Sequence, residues 1–308
     1  MSKFIYNINL NGNDIQYSEL SVHVYKIILK SLLGEMPLPK VVFTNVNKIL
    51  EEYTNLTKEK IEKLNFIDFF ILLTNIRMLS LGNGIDLSLT KDDKTFKISL
   101  NVDKILNIFE SIKNLYIKSN ILNVGDYKIE FKLPTILELL SYENAIDAQL
   151  DGVIFIKSIQ HINIPEVYIE MGNNLTIEER NAIFNKFPII MTTKILKHLK
   201  EQLNIMQKID LMDILGNHES LSEYKIPFDV NIYNLAFFVK ILFLDDLKSI
   251  YNNIYSLTTN AHMSGEYLES CTVGEFKIFV SNLKSSQKDS DTPIPQTIGN
   301  PDGFDEFN

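Results

Sequence analysis

The chain has 308 residues, of which 45% are hydrophobic, a formal net charge of −9 and a single cysteine, Cys271. That length is enough for one large domain or two ordinary ones with a buried core. The negative charge disfavours extended contacts with nucleic acid or an anionic membrane, and one cysteine excludes an internal disulfide and a zinc site built from cysteines.

Three features predict a cytosolic protein. Polar residues interrupt the first seven positions, so the beginning of the chain has no signal-peptide core. The most apolar run, residues 235–244, contains Lys240 and is too short to span a bilayer. A lone cysteine is typical of a reducing compartment.

The first 56 residues predict a hairpin and a helix. Alternating apolar residues at 4–10 and 15–17 flank Asn11-Gly12, a pair that tolerates the positive φ angles of a tight turn. Apolar residues at helical spacing then predict a helix over 22–32, which Gly34 and Pro37 end. Residues 38–46 are interpreted as a loop or a short extended piece.

Residues 57–81 predict one long helical region in the centre of the fold. Thr57 is positioned to cap its start, and Gly82 with Gly84 to end it. Residues 66–73 are apolar on nearly every side, which is typical of a helix that is buried all round.

A hairpin and a helix follow. Residues 85–89 and 96–100 alternate on either side of a turn at Asp92-Asp93, and residues 102–117 return to helical spacing. Another alternating stretch covers residues 127–133. Pro134 then stands where the first turn of a helix tolerates proline, and predicts a helix through residues 137–146.

Helix dominates from about residue 150. Residues 153–159 fit a short strand or a helix, and periodicity does not decide between them. Two Thr-x-x-Glu capping boxes, at 176–179 and 272–275, predict the start of a helix toward residue 187 and of the last helix. Between them, Pro188 and Thr192 start a helix that runs to about residue 214, and residues 231–257 repeat apolar positions every three or four residues.

The apolar pattern ends at Lys284. Residues 285–308 are rich in serine, aspartate, proline and glycine, and their one lysine stands against five acidic residues. Such a composition cannot bury enough apolar surface to fold alone, so this tail is predicted to be disordered. Phe304 and Phe307 stand among its acidic residues and are candidates for partner binding.

These patterns predict an α+β fold that is mostly helical, with β-hairpins in the N-terminal half, mainly within the first 135 residues. No internal repeat of solenoid period is present in the sequence. We expect an N-terminal α+β domain over residues 1–148, a helical C-terminal domain over 149–284, and the disordered acidic tail over 285–308.

The sequence contains no recognisable catalytic, metal-binding or cofactor-binding pattern. No two of the five histidines are spaced three or four residues apart. Gly82 and Gly84 lack the third glycine of a phosphate loop, and Cys271 has no histidine close in sequence, so a buried thiol is favoured. We therefore expect no cofactor and no enzymatic activity, with an unrecognised hydrolase or transferase site as an alternative.

Arg77 and two tyrosines are further candidates for partner binding. Arg77 lies near the end of the apolar helix, where it either holds a carboxylate or carbonyl at an interface or is simply a favourable cation near a helix C-terminus. Tyr251 and Tyr255 are four residues apart on one helix face that could reach solvent. The aromatic residues of 232–257 favour an interface, although Phe238 and Phe243 fit a core position slightly better.

Two segments resemble a known family. The run from Phe66 to Gly82, followed by Ile85-Asp86-Leu87, resembles the segment with the pattern I-R-x-x-S-x-G of the baseplate hub and hub-assembly proteins of T-even-type contractile-tailed bacteriophages; the pattern itself falls on residues 76–82. Residues 251–257 and 267–275 are similar to a C-terminal segment of such proteins, in which a proline–glutamate pair commonly follows the threonine. Here Val273-Gly274 stands in the place of that proline.

The resemblance implies a structural component or assembly factor of a phage tail baseplate hub. It also implies other tail or baseplate proteins as partners, and a location in the host cytoplasm during assembly and in the virion baseplate. The composition adds that neither nucleic acid nor a membrane span is expected. A soluble adaptor that recruits a partner through the acidic tail is the alternative.

Overall fold

In a computed structural model, the described residues are 6–10, 12–34, 37–91, 94–141, 159–164, 167–170, 175–207 and 232–290. The strands are β1 (Tyr6–Leu10), β2 (Asn13–Tyr17), β3 (Gly84–Lys91), β4 (Lys94–Asn101), β5 (Ile121–Val124), β6 (Tyr127–Phe131), β7 (Ile159–Ile164) and β8 (Val167–Glu170). The helices are α1 (Val22–Ser31), α2 (Pro39–Tyr53), α3 (Lys58–Lys63), α4 (Phe66–Leu81), α5 (Val102–Ser119), α6 (Ile136–Leu140), α7 (Ile177–Phe184), α8 (Ile189–Gln207), α9 (Ile232–Leu242), α10 (Leu247–Asn260), α11 (Gly265–Ser270) and α12 (Val273–Ser290).

The mostly helical α+β fold is confirmed, and its strands pair as antiparallel hairpins. β1 pairs with β2 and β3 with β4, while β5 to β8 form a four-stranded sheet in chain order. Gly12 turns the first hairpin with φ 79°, as the Asn-Gly signal predicted. β7 and β8 lie beyond residue 135 and were not predicted. The apolar residues of β7, at 159, 162 and 164, break the period of two that indicates a strand.

Helix α4 lies in the middle of the main core, as its apolar sequence predicted. All residues from Phe66 to Arg77 are buried. The ring of Phe70 packs edge-on against Phe43 and Phe238 and stacks on Phe109. Its centroid lies 5.4 Å from that of Phe238 and 5.8 Å from that of Phe109. Such aromatic pairs stabilise a core beyond the area they bury.

The interpretation of residues 38–46 as a loop is wrong, because they belong to helix α2. Pro39 occupies the first turn of this helix, where the missing N–H and the fixed φ of proline are tolerated. Pro39 therefore marks the start of α2, and the predicted end of the preceding helix before Pro37 is confirmed, since α1 ends at Ser31. The buried face of α2 comprises Pro39, Val42, Phe43, Val46, Ile49, Leu50 and Tyr53.

Two stretches with continuous helical spacing are each divided into two helices. Asn65 interrupts residues 57–81, because its side chain caps α4 by accepting a hydrogen bond from the Asp68 N–H at 3.0 Å. Thr57 makes no side-chain cap, contrary to the prediction. Asp246 divides residues 231–257 in the same way by capping α10. Short polar side chains that bond the following backbone N–H groups favour such helix starts over helix interiors.

Capping boxes begin three helices. The predicted boxes at 176–179 and 272–275 are confirmed, with reciprocal threonine and glutamate hydrogen bonds of 2.8 to 3.2 Å at the start of α7 and α12. A third box, Thr135 with Glu138, starts α6 directly after Pro134, which therefore lies outside the helix. Within the described residues, no helix has both the length and the apolar character that a membrane span needs.

The main core joins residues from both ends of the chain. Buried side chains between Leu10 and Leu139 and between Ile232 and Phe276 form one cluster. A smaller cluster lies between the four-stranded sheet and α8. The predicted domain boundary at 148/149 falls outside the described residues, and α12 continues to Ser290, past the end expected at Lys284.

A candidate protein-binding groove

An open groove of about 570 Å³ lies between the end of α1 and the bend that joins α9 to α10. Leu33 and Leu244, on its two walls, are 63% and 45% exposed. Exposed apolar side chains gathered in one concave surface are typical of contact sites for other proteins. The apolar and aromatic lining consists of Leu29, Leu32, Leu33, Phe243, Leu244, Leu247 and Tyr251.

The end of α1 forms the first wall of the groove. The Leu32 N–H donates to the Leu29 carbonyl at 3.2 Å and closes the helix. Gly34 then turns the chain with φ 96°, a conformation that a residue with a Cβ rarely adopts. Lys240 of α9 donates to the Gly34 carbonyl at 2.5 Å, which ties this turn to the opposite wall.

The bend between α9 and α10 forms the second wall. The Tyr25 hydroxyl donates to Asp245 Oδ2 at 2.8 Å and so joins the bend to α1. Burial raises the pKa of Tyr25, and the nearby Asp245 carboxylate raises it further, so the hydroxyl remains protonated and donates. Asp246 accepts a hydrogen bond from the Lys248 N–H at 3.0 Å as the cap of α10.

Arg77 is buried beside this bend and bonds carbonyls of its own chain. Its Nε donates to the Leu242 carbonyl at 2.9 Å, one Nη donates to the Gly84 carbonyl at 2.6 Å, and the other donates to the Gly82 carbonyl. The guanidinium thus joins the C-terminal ends of α4 and α9, whose last carbonyls lack partners within their helices. These bonds fit the interpretation of Arg77 as a favourable cation near a helix C-terminus, since the carbonyls belong to its own chain and lie away from the exposed groove. A role of Arg77 in partner binding stays a prediction.

Tyr251 and Tyr255 both lie on the surface of α10. Tyr251 lines the groove and is 41% exposed, while Tyr255 is 70% exposed. The Nζ atoms of Lys26 and Lys30 lie 4.9 and 5.9 Å from the centroid of the Tyr251 ring, within the range of cation–π contacts. The role of the two tyrosines in partner binding stays a prediction.

Helix α11 fixes the position of Lys26. The Lys26 Nζ lies 2.5 Å from Glu269 Oε1, and His23 Nδ1 lies 3.1 Å from Glu269 Oε2. The hydrogen bond from Lys26 lowers the pKa of Glu269, partial burial opposes this, and His23 adds to the lowering. The lysine that contacts the Tyr251 ring is therefore anchored by an ion pair.

Of the other candidate residues, some lie in the core and some lie outside the described residues. Phe238 and Phe243 are buried, so the core interpretation is confirmed for both. Cys271 is buried as predicted, and burial, with Glu275 adding to it, raises the pKa of its thiol to about 11. Phe304 and Phe307 lie outside the described residues, as does most of the acidic tail that the adaptor alternative needs. In the described part of the chain, no group of three or more histidine, cysteine or acidic side chains is arranged to hold a metal ion.

The sequence did not identify Leu33, Leu244 or Lys240 as groove residues. Each leucine follows a helix end, where a single apolar residue has no periodic signal. The two come together only because α1 packs near the α9–α10 bend. The available signal was Gly34 after two leucines, which indicates a helix end with an apolar residue left outside it.

A protein family matches the larger part of the chain. Its model, described as T4 bacteriophage base plate protein, covers residues 1–212. The match includes Arg77 and the α1 wall of the groove, whereas α9 and α10 lie beyond it. No curated protein and no solved structure matches the chain.

Proposed function

The chain belongs to the T4 bacteriophage base plate protein family, and we propose that it is a structural component or assembly factor of the baseplate hub. In this role it acts through contacts with other tail proteins and not by catalysis. It works in the host cytoplasm while the baseplate assembles, and as a structural component it remains in the baseplate of the virion.

The groove between α1 and the α9–α10 bend is the observation that supports this proposal. Protein interfaces bury an apolar and aromatic centre within a polar rim. Leu33, Leu244 and Tyr251 supply such a centre, and Lys240 and Lys248 supply charged groups beside it. Charged groups at a rim favour correct partners and orient them, so the surface fits a specific contact.

The assignment to the hub rests on the two segments that resemble hub proteins. They are far apart in sequence. Tyr251 of the second segment lines the groove. Arg77 of the first segment is buried and bonds the Leu242 carbonyl at the end of α9, so it supports the position of one groove wall without lining the groove.

The test is a phage carrying the double variant L244S/Y251S. Removing a side chain at the centre of an interface typically costs about 2 kcal/mol or more, and about 1.4 kcal/mol is a tenfold change in affinity. We therefore expect the variant protein to fold normally but to fall at least about tenfold in purified particles or in assembly intermediates. Quantitative mass spectrometry of both samples measures this fall.

A matched control is the double variant L137S/Y6S. It removes the same residue types at similar exposure, 51% for Leu137 and 40% for Tyr6, away from the groove. This control should assemble like the wild type. Wild-type protein in finished particles identifies a structural component, and wild-type protein in intermediates alone identifies an assembly factor. Absence of the wild-type protein from both samples contradicts the proposed function. Normal assembly of L244S/Y251S contradicts the role of the groove.

A further inference from the structure

We propose that residues 302–308 of this chain, with the sequence DGFDEFN, dock in the groove of the same molecule and compete there with a baseplate partner. The inference rests on the proposed function of the groove and adds its regulation. The segment offers two aromatic side chains and three carboxylates, and the groove offers apolar surface and lysines.

The groove carries a small excess of lysine although the chain is acidic overall. Lys240 and Lys248 line it beside Asp245 and Asp246, and the exposed Lys30 lies near the Tyr251 ring. Lys26 is buried and paired with Glu269, so three lysines against two aspartates leave the groove slightly basic in a chain with a net charge of −9. Such a surface attracts an acidic segment and orients it.

The acidic groups near the groove already have partners. Asp245 accepts from the Tyr25 hydroxyl, Asp246 accepts from a backbone N–H as a helix cap, and Glu269 pairs with Lys26. Only Glu269 is neutralised, because its partner is a cation, whereas Asp245 and Asp246 bond neutral donors and keep their charge. Lys30, Lys240 and Lys248 therefore stand against two aspartates.

The segment has the complementary composition. Residues 289–308 contain five acidic residues and no lysine or arginine. Phe304 and Phe307 are three residues apart with Asp305 and Glu306 between them, so apolar and acidic groups alternate over a short span. Each aromatic side chain can bury roughly 150–250 Å². The groove has a volume of about 570 Å³.

The segment can reach the groove from the end of α12 for any angle between the helices. The Val273 N–H donates to the Leu20 carbonyl and the Val22 N–H to the Cys271 carbonyl, both at 3.0 Å, so α12 and α1 begin side by side. With a rise of 1.5 Å per residue along α12 and along α1, Ser290 lies within roughly 43 Å of Leu29 in the groove. The 14 residues from Ser290 to Phe304 span up to roughly 46–50 Å. A tether that can span this distance permits docking within one molecule.

The test uses a fluorescein-labelled peptide of residues 300–308 and full-length protein. In wild-type protein the chain's own segment occupies the groove, whereas in F304S/F307S it does not. We expect the peptide to bind F304S/F307S at least about tenfold more tightly than it binds the wild type, as measured by fluorescence anisotropy. The same peptide with both phenylalanines replaced by serine should not bind.

Two receptor variants locate the binding site. L244D in the F304S/F307S background places a carboxylate on the groove wall and should abolish binding, and K248E should weaken it several-fold at low salt. Both residues are exposed, so circular dichroism should show an unchanged fold. Should L244D nevertheless unfold the protein, K248E alone decides. Equal affinity of the peptide for wild type and F304S/F307S, or full binding to K248E, overturns the proposal. A wild-type dimer that F304S/F307S dissociates overturns docking within one molecule, because the segment then serves a second copy.

The result separates this inference from the proposed function. If the segment competes with a partner, phage carrying F304S/F307S should incorporate the protein as well as the wild type or earlier in assembly. If the peptide does not bind while L244S/Y251S still loses the protein from particles, the regulation is wrong and the function of the groove stands. If L244S/Y251S assembles normally while the peptide binds, the segment docks in a groove that has no role in assembly.

Discussion

Replacing Arg77 by methionine should destabilise the protein through lost hydrogen bonds. Methionine has a similar length and is apolar, so the variant leaves little empty volume while it removes all five N–H donors. The guanidinium bonds the carbonyls of Leu242, Gly82 and Gly84 and joins the ends of α4 and α9. R77M therefore tests whether this clamp stabilises the fold.

The three carbonyls should contribute unequally. Leu242 is fully buried, so its carbonyl is left without a partner, at a cost of roughly 1.5–3 kcal/mol. Gly82 and Gly84 are exposed, and water can replace the guanidinium there at a cost of at most about 0.5–1 kcal/mol each. Relief from burying the Arg77 charge offsets part of this sum. The expected loss is about 2–4 kcal/mol in the free energy of unfolding.

Urea denaturation of wild type, R77M and R77K at pH 7 measures the effect. In a chain of 308 residues, a loss of 2–4 kcal/mol corresponds to a fall in Tm of roughly 3–6 °C. R77K keeps the charge but lacks the planar fork, so its stability should lie between the other two. If R77M loses less than about 1 kcal/mol in the free energy of unfolding, or if R77K is as unstable as R77M, the Arg77 hydrogen bonds do not stabilise the fold as proposed.

Three further predictions concern the core, an ion pair and the thiol. Phe69 packs against Phe43 and Phe70, so F69D places a charge in the core. The soluble yield of F69D should collapse while F69L stays soluble, and a normal Tm for F69D contradicts the central position of α4. The pKa of Glu269 is lowered from 4.5, so its ion pair stabilises the protein above that pH, and this stabilisation is lost as the pH falls through the lowered pKa. The Tm difference between wild type and E269Q should therefore be present at pH 7 and disappear under acid conditions. The Cys271 thiol, with a pKa of about 11 and little exposure, should react with thiol reagents at pH 7.5 only after urea is added, and rapid reaction of the native protein contradicts its burial.

Local signals in the sequence predicted elements well, and long-range packing accounts for the rest. The Asn-Gly turn and the Thr-x-x-Glu boxes specify backbone hydrogen bonds within a few residues, so their positions were correct. Asn65 and Asp246 divide helices because polar caps outweigh a continuous apolar spacing, which periodicity alone does not register. The groove depends on two segments far apart in sequence, so only Tyr251 could be proposed beforehand, from its spacing with Tyr255.

Within the segment that resembles the hub family, three of the four defining positions of residues 76–82 have a structural reason. Arg77 bonds the end of α9. The Ser80 hydroxyl accepts from the Leu20 N–H at 2.9 Å and donates within α4, so it fixes the chain just before α1. Gly82 ends α4 with φ 89°, a conformation that favours glycine. These residues hold together the corner where α4, α9 and the approach to α1 meet.

The proposed function therefore assigns partner choice to the groove and not to that corner. A buried arginine, a buried serine and a glycine with positive φ are each required by the fold, so any change there alters stability before it alters recognition. The opposite holds for Leu33, Leu244 and Tyr251. Each is more than a third exposed, so its replacement leaves the main core intact. The corner determines where the two walls stand, and the exposed side chains on those walls determine what fits between them. Variants of the corner should consequently change stability and assembly together, whereas variants of the groove should change assembly alone.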